Sequence, residues 1–226
     1  EKVVLSSTIT SIGDNAFKGQ SSLRGFKLPD AVESIGSSAF YGVFAEGSDI
    51  TDLAQINWPA KITSVSSHCF YGCTSLERIE ISEDITILGS NAFAYCTSVK
   101  ELKMPVDHTY TVWPFNYINS IEKIIFTPGQ TGIMPDIKGN GDNYLTRWPQ
   151  YDSAGSLKEV VFEEGCKNVS DSLFSTDKFT SLRLEKVVLP STIDVVFPPP
   201  AVLSFQVFAA VLVNKTGIEW LPPWLS

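Results

Sequence analysis

Residues 26–40 read Phe26-Lys27-Leu28-Pro29-Asp30-Ala31-Val32-Glu33-Ser34-Ile35-Gly36-Ser37-Ser38-Ala39-Phe40, and the run from Ile79 to Phe93 follows the same pattern. An apolar-x-apolar triplet comes first, often with Pro after it. A β-branched residue follows, and the unit closes on an aliphatic residue, Gly, two small or polar residues and Ala-Phe. Extending this outward gives a column of aromatic residues at Phe17, Phe40, Phe70, Phe93 and Phe115, in steps of 23, 30, 23 and 22. A second column runs Leu5, Leu28, Trp58, Ile81, Met104, Phe126, Phe162 and Leu189, and a third Leu23, Leu76, Val99, Ile121, Leu157 and Leu182. Several columns recurring together at one period are the mark of a stacked-repeat architecture.

Each piece of the unit has a physical reading. The triplet is a short strand with two side chains inward and one outward, and Pro after it removes a donor and ends the ladder. Gly13, Gly36 and Gly89 fall where the chain turns, and we assign them to positive φ, which Gly takes without strain. The Ala-Phe that follows drives an aromatic wedge into each rung. One rung cannot bury such residues alone. Neighbours stacked about 4.8 Å apart merge the columns into one continuous core.

At these residues the sequence resembles the BspA-like, or treponemal-type, leucine-rich repeat, whose units read roughly L-x-x-I-x-L-P-x-x-V-x-x-I-G-x-x-A-F-x-x-C-x-S. The likeness is strong over residues 1–105, weaker over 106–192 and absent from 193–226. It implies a right-handed α/β-type repeat solenoid of mostly β and irregular content, with about eight rungs and a parallel β-sheet on one face. It also implies a surface-exposed or secreted protein that binds a protein or glycan, and it carries no catalytic residues to transfer. A stalk or spacer presenting another domain is the alternative function.

We expect a solenoid over 1–192, irregular and insertion-bearing from 106, and a non-repeat C-terminal segment over 193–226. One insertion adds seven residues around Tyr41–Gln55, and another adds about a dozen around Thr127–Gly155. Insertions in repeats map to loops on one face, often the binding face. Glu1-Lys2-Val3-Val4-Leu5 enters in mid-pattern with no signal peptide, from which we expect a longer parent chain. Residues 195–213 carry no charge, yet they open with Pro198-Pro199-Pro200 and hold Gln206. The 13 residues from Ala201 to Val213 are too short to span a bilayer, so no membrane insertion is expected and the segment reads as a cap on the last rungs.

With 25 acidic against 17 basic residues and a net charge of −8, the chain has no basic run to neutralise phosphates, and a nucleic-acid partner is not expected. The two histidines, His68 and His108, lie 40 residues apart, and no hydrolase, zinc-protease or nucleotide-binding motif appears, so we expect no enzyme, metal or cofactor. Cys73 and Cys96 share a column. Stacked, parallel Cβ vectors about a strand spacing apart fit a disulfide poorly, so both are expected as buried free thiols.

Two binding features stand out. Aromatic residues gather in the irregular stretches at Tyr110, Trp113, Tyr117, Tyr144, Trp148 and Tyr151, where rings on loops form platforms for sugars or apolar groups, or else fill the core where the repeat lapses. The outward triplet residue, polar in the middle rungs, turns apolar at Ile125, Val161 and Val188, which marks a candidate apolar face for a partner or for the tail.

Overall fold

The computed structural model describes residues 2–21, 23–108, 114–134, 156–169 and 185–191, together with the backbone of 211–212. Its strands are short and all pair in parallel: β1 (Ser11–Ile12), β2 (Ser34–Ile35), β3 (Ser64–Val65), β4 (Arg78–Glu80), β5 (Ile87–Leu88), β6 (Glu101–Pro105), β7 (Lys123–Thr127), β8 (Glu159–Phe162), β9 (Lys186–Val188) and β10 (Val211–Leu212). The main sheet has the order β10-β9-β8-β7-β6-β4, and the two-residue strands form separate pairs, β1 with β2 and β3 with β5. Helix among the described residues is confined to one 3-10 turn, Leu53–Ile56. The fold is a β-solenoid in which each rung from β4 onward contributes one strand to the main sheet.

Six strands in that sheet fall short of the eight rungs expected from the sequence. The difference lies at the N-terminal side, where only the isolated bridges Lys2↔Arg24 and Asp52↔Arg78 extend the ladder. Gly25, at φ +55°, turns the chain away directly after Arg24, and the 3-10 turn does the same after Asp52. The triplets still present their apolar residues inward, but the strand has no length in which to pair.

The core follows the columns. Phe40, Phe70 and Phe93 are fully buried, with ring centroids 5.3 Å apart at each step and interplanar angles of 5° and 4°. Phe17 and Phe115 continue the ladder at 5.4 and 5.6 Å. Leu28, Ile81, Met104, Phe126, Phe162 and Leu189 are buried in the second column. Cys73 and Cys96 stack as buried free thiols, and their Sγ atoms donate to the carbonyls of Phe40 and Phe70, each at 3.2 Å. Burial pushes the Cys73 thiol up to about 12.

The turn glycines act differently from the expectation. Gly13, Gly36 and Gly89 are not in the positive-φ region; two residues later, Asn15, Ser38 and Asn91 take it, at φ 57°, 55° and 56°. Gly36 and Gly89 are needed for close approach instead. A Cβ at Gly36 would run into the backbone nitrogen of Asp14, and one at Gly89 into that of Ser67, on the preceding rung.

The outer face of the main sheet carries a charge pattern that column-by-column reading of apolar residues passes over. Strand register aligns Arg78, Glu101, Lys123, Glu159 and Lys186, so the sign alternates at every rung. The residue before each of these, Glu77, Lys100, Glu122, Lys158 and Glu185, alternates in the opposite phase. Ion pairs link neighbouring rungs: Arg78 to Asp52 at 3.2 Å and to Glu101 at 2.7 Å, Lys158 to Glu122 at 3.2 Å, and Glu159 to Lys123 at 3.4 Å and Lys186 at 2.7 Å. The hydrogen bond from Lys186, with Lys123 close by, holds the Glu159 carboxyl below its ordinary value.

Candidate functional site

The two insertions noted in the sequence bound a single groove. The first delivers the 3-10 turn, started by Asp52, whose side chain accepts from Ala54 N at 2.8 Å while Gln55 Oε1 accepts from Asp52 N at 2.9 Å. This reciprocal cap compensates for the short length of the turn by satisfying its free amides. Leu53 and Ile56 anchor it in the core, and left-handed Asn57 ends it, with Nδ2 donating to Leu28 O at 3.0 Å and Asp30 Oδ1 at 2.8 Å. Trp58 and Pro59 are thereby set along one wall. The second insertion begins at the end of β7, so Thr127 and Gln130 contribute to the lining.

The groove has a volume of about 570 Å3 and crosses several rungs. Its walls combine apolar groups, among them Leu53, Trp58, Pro59 and Ile81, with Glu80, Lys103 and Glu163 from the sheet and Glu83 and Asp84 from the turn after β4. Lys103 Nζ lies 3.1 Å from Glu163 and 3.6 Å from Glu80, and the hydrogen bond to Glu163 holds its ammonium above the ordinary value. Glu83 and Asp84 are exposed and form no ion pair among the described residues. Two atoms are out of balance. Trp58 Nε1 and Thr127 Oγ1 are buried without a hydrogen-bond partner, and Thr127 is only 6% exposed. Such groups cost roughly 1–3 kcal/mol each.

Of the aromatic residues proposed from the sequence, Tyr117 is described, while Tyr110, Trp113, Tyr144, Trp148 and Tyr151 lie outside the described residues. Tyr117 is half-exposed and stacks on Tyr95 at 4.4 Å; Tyr95 continues to Tyr71 at 5.1 Å and Tyr71 to Tyr41 at 4.5 Å. This tyrosine ladder follows the wedge phenylalanines and ends with Lys18 Nζ 4.8 Å from the Tyr41 ring centroid. The outer two steps are stacked, at interplanar angles of 10° and 25°, while Tyr71 and Tyr95 are tilted by 43°. Tyr95 and Tyr117 adopt left-handed φ of 61° and 60° where the other rungs use Gly42 and Gly72. Beside the ladder, Asn116 Nδ2 donates to Asn91 Oδ1 at 2.6 Å and Asn91 lies 3.4 Å from His68 Nε2. Cys69, next to His68, is buried and its thiol is pushed well up by that burial, the reverse of an activated nucleophile.

Ile125, Val161 and Val188 share one row with Lys103, as strand register dictates, and Leu212 registers on Val188. They are half-buried rather than a fully exposed stripe. The row runs away from the groove toward β10.

Sequence reading missed the groove, with one signal available. Trp58 stands in a column otherwise made of Leu, Ile, Met and Phe, and an indole brings a polar N–H into that column. The surrounding charges come from separate rungs and become neighbours only through register.

A family description, the BspA type leucine-rich repeat region, matches in six copies over residues 1–51 and 48–137. Among solved structures, a leucine-rich repeat protein from Bacteroides ovatus is 17% identical over 84% of this chain and 60% of its own, with a TM-score of 0.42. A leucine-rich cell surface protein from Faecalibacterium prausnitzii is 17% identical over 94% and 53%, with a TM-score of 0.29. The pneumococcal vaccine antigen PcpA is 15% identical over 92% and 60%, with a TM-score of 0.30. The chain thus spans between about half and three-fifths of each of these proteins. No curated protein matches the sequence.

Proposed function

Since the chain belongs to the BspA-type leucine-rich-repeat family, we propose that it is a non-catalytic binding module of a secreted or cell-surface protein, engaging a protein or glycan through the outer sheet face and its groove. The observation that carries this reading is the convergence of both insertions on one groove whose lining mixes a tryptophan, two carboxylates with no ion pair among the described residues, and orphaned polar atoms. Ligand sites are concave, with a few placed polar groups among apolar ones. Among the described residues no helix is long and apolar enough to cross a membrane, and no group of His, Cys, Asp and Glu could hold a metal.

The test is a binding screen of the full chain, immobilised and exposed to extracellular-matrix proteins, epithelial surface glycoproteins and a panel of oligosaccharides. A saturable partner is the expected result. Absence of any partner would favour the second reading, a spacer, which draws support from the continuous phenylalanine ladder and from the ion pairs that join several neighbouring rungs.

A further inference from the structure

We infer that the groove between the 3-10 turn and the ends of the sheet strands binds a neutral, hydroxyl-rich saccharide unit. This deepens the binding-module reading and rests on it. The argument is one of complementarity. Four carboxylates, Glu80, Glu83, Asp84 and Glu163, line the groove against one ammonium, Lys103. Lys103 is already engaged by Glu80 and Glu163, so acceptors are in excess. Trp58 Nε1 can only donate, and the Thr127 hydroxyl is a donor as well as an acceptor. Both lack partners.

An anion would suit the two orphaned groups but would be repelled by the carboxylates. A cation would suit the carboxylates, but it has no acceptor to offer the indole N–H. A hydroxyl meets both demands from one oxygen, donating to a carboxylate and accepting from an N–H or O–H. A pyranose carries several hydroxyls on a ring whose C–H faces are apolar, matching a wall of Trp58, Leu53, Pro59 and Ile81. The volume of about 570 Å3 falls within the range of small-ligand sites. A Thr127 χ1 rotation, which exchanges its hydroxyl with its methyl, would turn the hydroxyl from its buried position.

The orphaned atoms also supply a test that separates binding from structure. Replacing a buried, unsatisfied polar group with an apolar one of the same shape removes its desolvation cost and does not lower stability. Thr127→Val keeps the shape and removes the hydroxyl, and Trp58→Phe keeps an aromatic ring and removes the N–H. Saturation-transfer NMR on the full chain would use methyl glucoside, methyl galactoside and N-acetylglucosamine as probes, with a lysine tetrapeptide as the basic-peptide comparison and Gln20→Ala, an exposed position on an early rung, as a variant away from the groove.

We expect at least one sugar to show transfer, Thr127→Val and Trp58→Phe to weaken its binding at least tenfold, and Gln20→Ala to leave it unchanged. The melting midpoint of Thr127→Val should be at or above that of the parent. Three results overturn the inference: no sugar binds, both groove variants bind it as the parent does, or the lysine peptide binds the groove in place of the sugars. If the screen finds a partner that the groove variants still bind, the saccharide site fails while the binding-module reading stands; if the screen finds none, the binding-module reading itself fails.

Discussion

Gly13 and Gly36 occupy the same place in consecutive rungs, yet the two differ in what surrounds them. A Cβ on Gly13 meets nothing within 4 Å, whereas one on Gly36 strikes the backbone of Asp14. Gly36→Ala should therefore destabilise by about 1–3 kcal/mol through overpacking, while Gly13→Ala should be nearly neutral; urea unfolding of the two variants side by side measures the contrast. Phe40 and Phe93 sit in the ladder with no exposed surface, and truncating either to Ala should cost ~3–5 kcal/mol, read as a drop in the unfolding midpoint. An unchanged midpoint would contradict the stacked column. The phenylalanines were legible in the sequence because each keeps a fixed offset from Gly. The reason for the glycine was not, since close approach between rungs is a tertiary property and the left-handed φ had shifted to Asn and Ser.

The strands of the main sheet take their register from two sources. Inward-facing apolar residues set which face is buried, and a slip of one residue would reverse every side chain. The alternating charges add a second constraint, because skipping one rung would place like charges opposite one another. Glu101→Lys, set between Arg78 and Lys123, should cost about 0.5–1 kcal/mol at low salt, and the loss should shrink as ionic strength rises; the accompanying exchange Arg78→Glu should recover part of it. A salt-independent loss would argue that packing of the side-chain stem is responsible. Strand positions could be read from the apolar triplets, but the groove could not. Its charged residues lie on β4 and β6, in the turn after β4 and just past the end of β8, and the 36-residue step between Phe126 and Phe162 hides which residues meet. At the far edge, β10 pairs with β9. The expected capping role of residues 193–226 lies otherwise outside the described residues. Deleting residues 195–226 should bare the β9 edge and promote self-association, visible in light scattering as a concentration-dependent rise in mass. A truncated chain that stays monomeric would indicate that β10 does not protect that edge.

For the molecule as a whole, pH acts on the core through its thiols. Cys73 is raised to about 12 and Cys166 to about 11 by burial, above the range in which an unfolded chain ionises its cysteines. The folded state therefore retains these protons when the unfolded state has lost them. This stability is complete below the unfolded thiol pKa and drains away as pH rises through the folded values, so the melting midpoint should fall between about pH 9 and 12. A chain with Cys73 and Cys166 both changed to Ala should start less stable but lose less across that window; an equal loss would remove the thiols as the cause. At the acid end, Glu159 is held low by Lys186, and its contribution persists above the ordinary carboxylate pKa and fades as pH drops through the depressed one.

The stacking of rungs also governs how the chain answers a pull. Each rung is held chiefly by its immediate neighbours, and the hydrogen bonds of the main sheet run from rung to rung along the stack. Tension applied through the two ends loads the terminal strand bonds one after another instead of shearing the whole sheet at once. Every rung of about 23 residues that peels away converts roughly 5 Å of stack into about 80 Å of extended chain. In a laser trap the molecule should lengthen in low, evenly spaced steps, with longer ones where the inserted segments are paid out, so that a partner held at one end stays attached while the protein between gives way and rewinds.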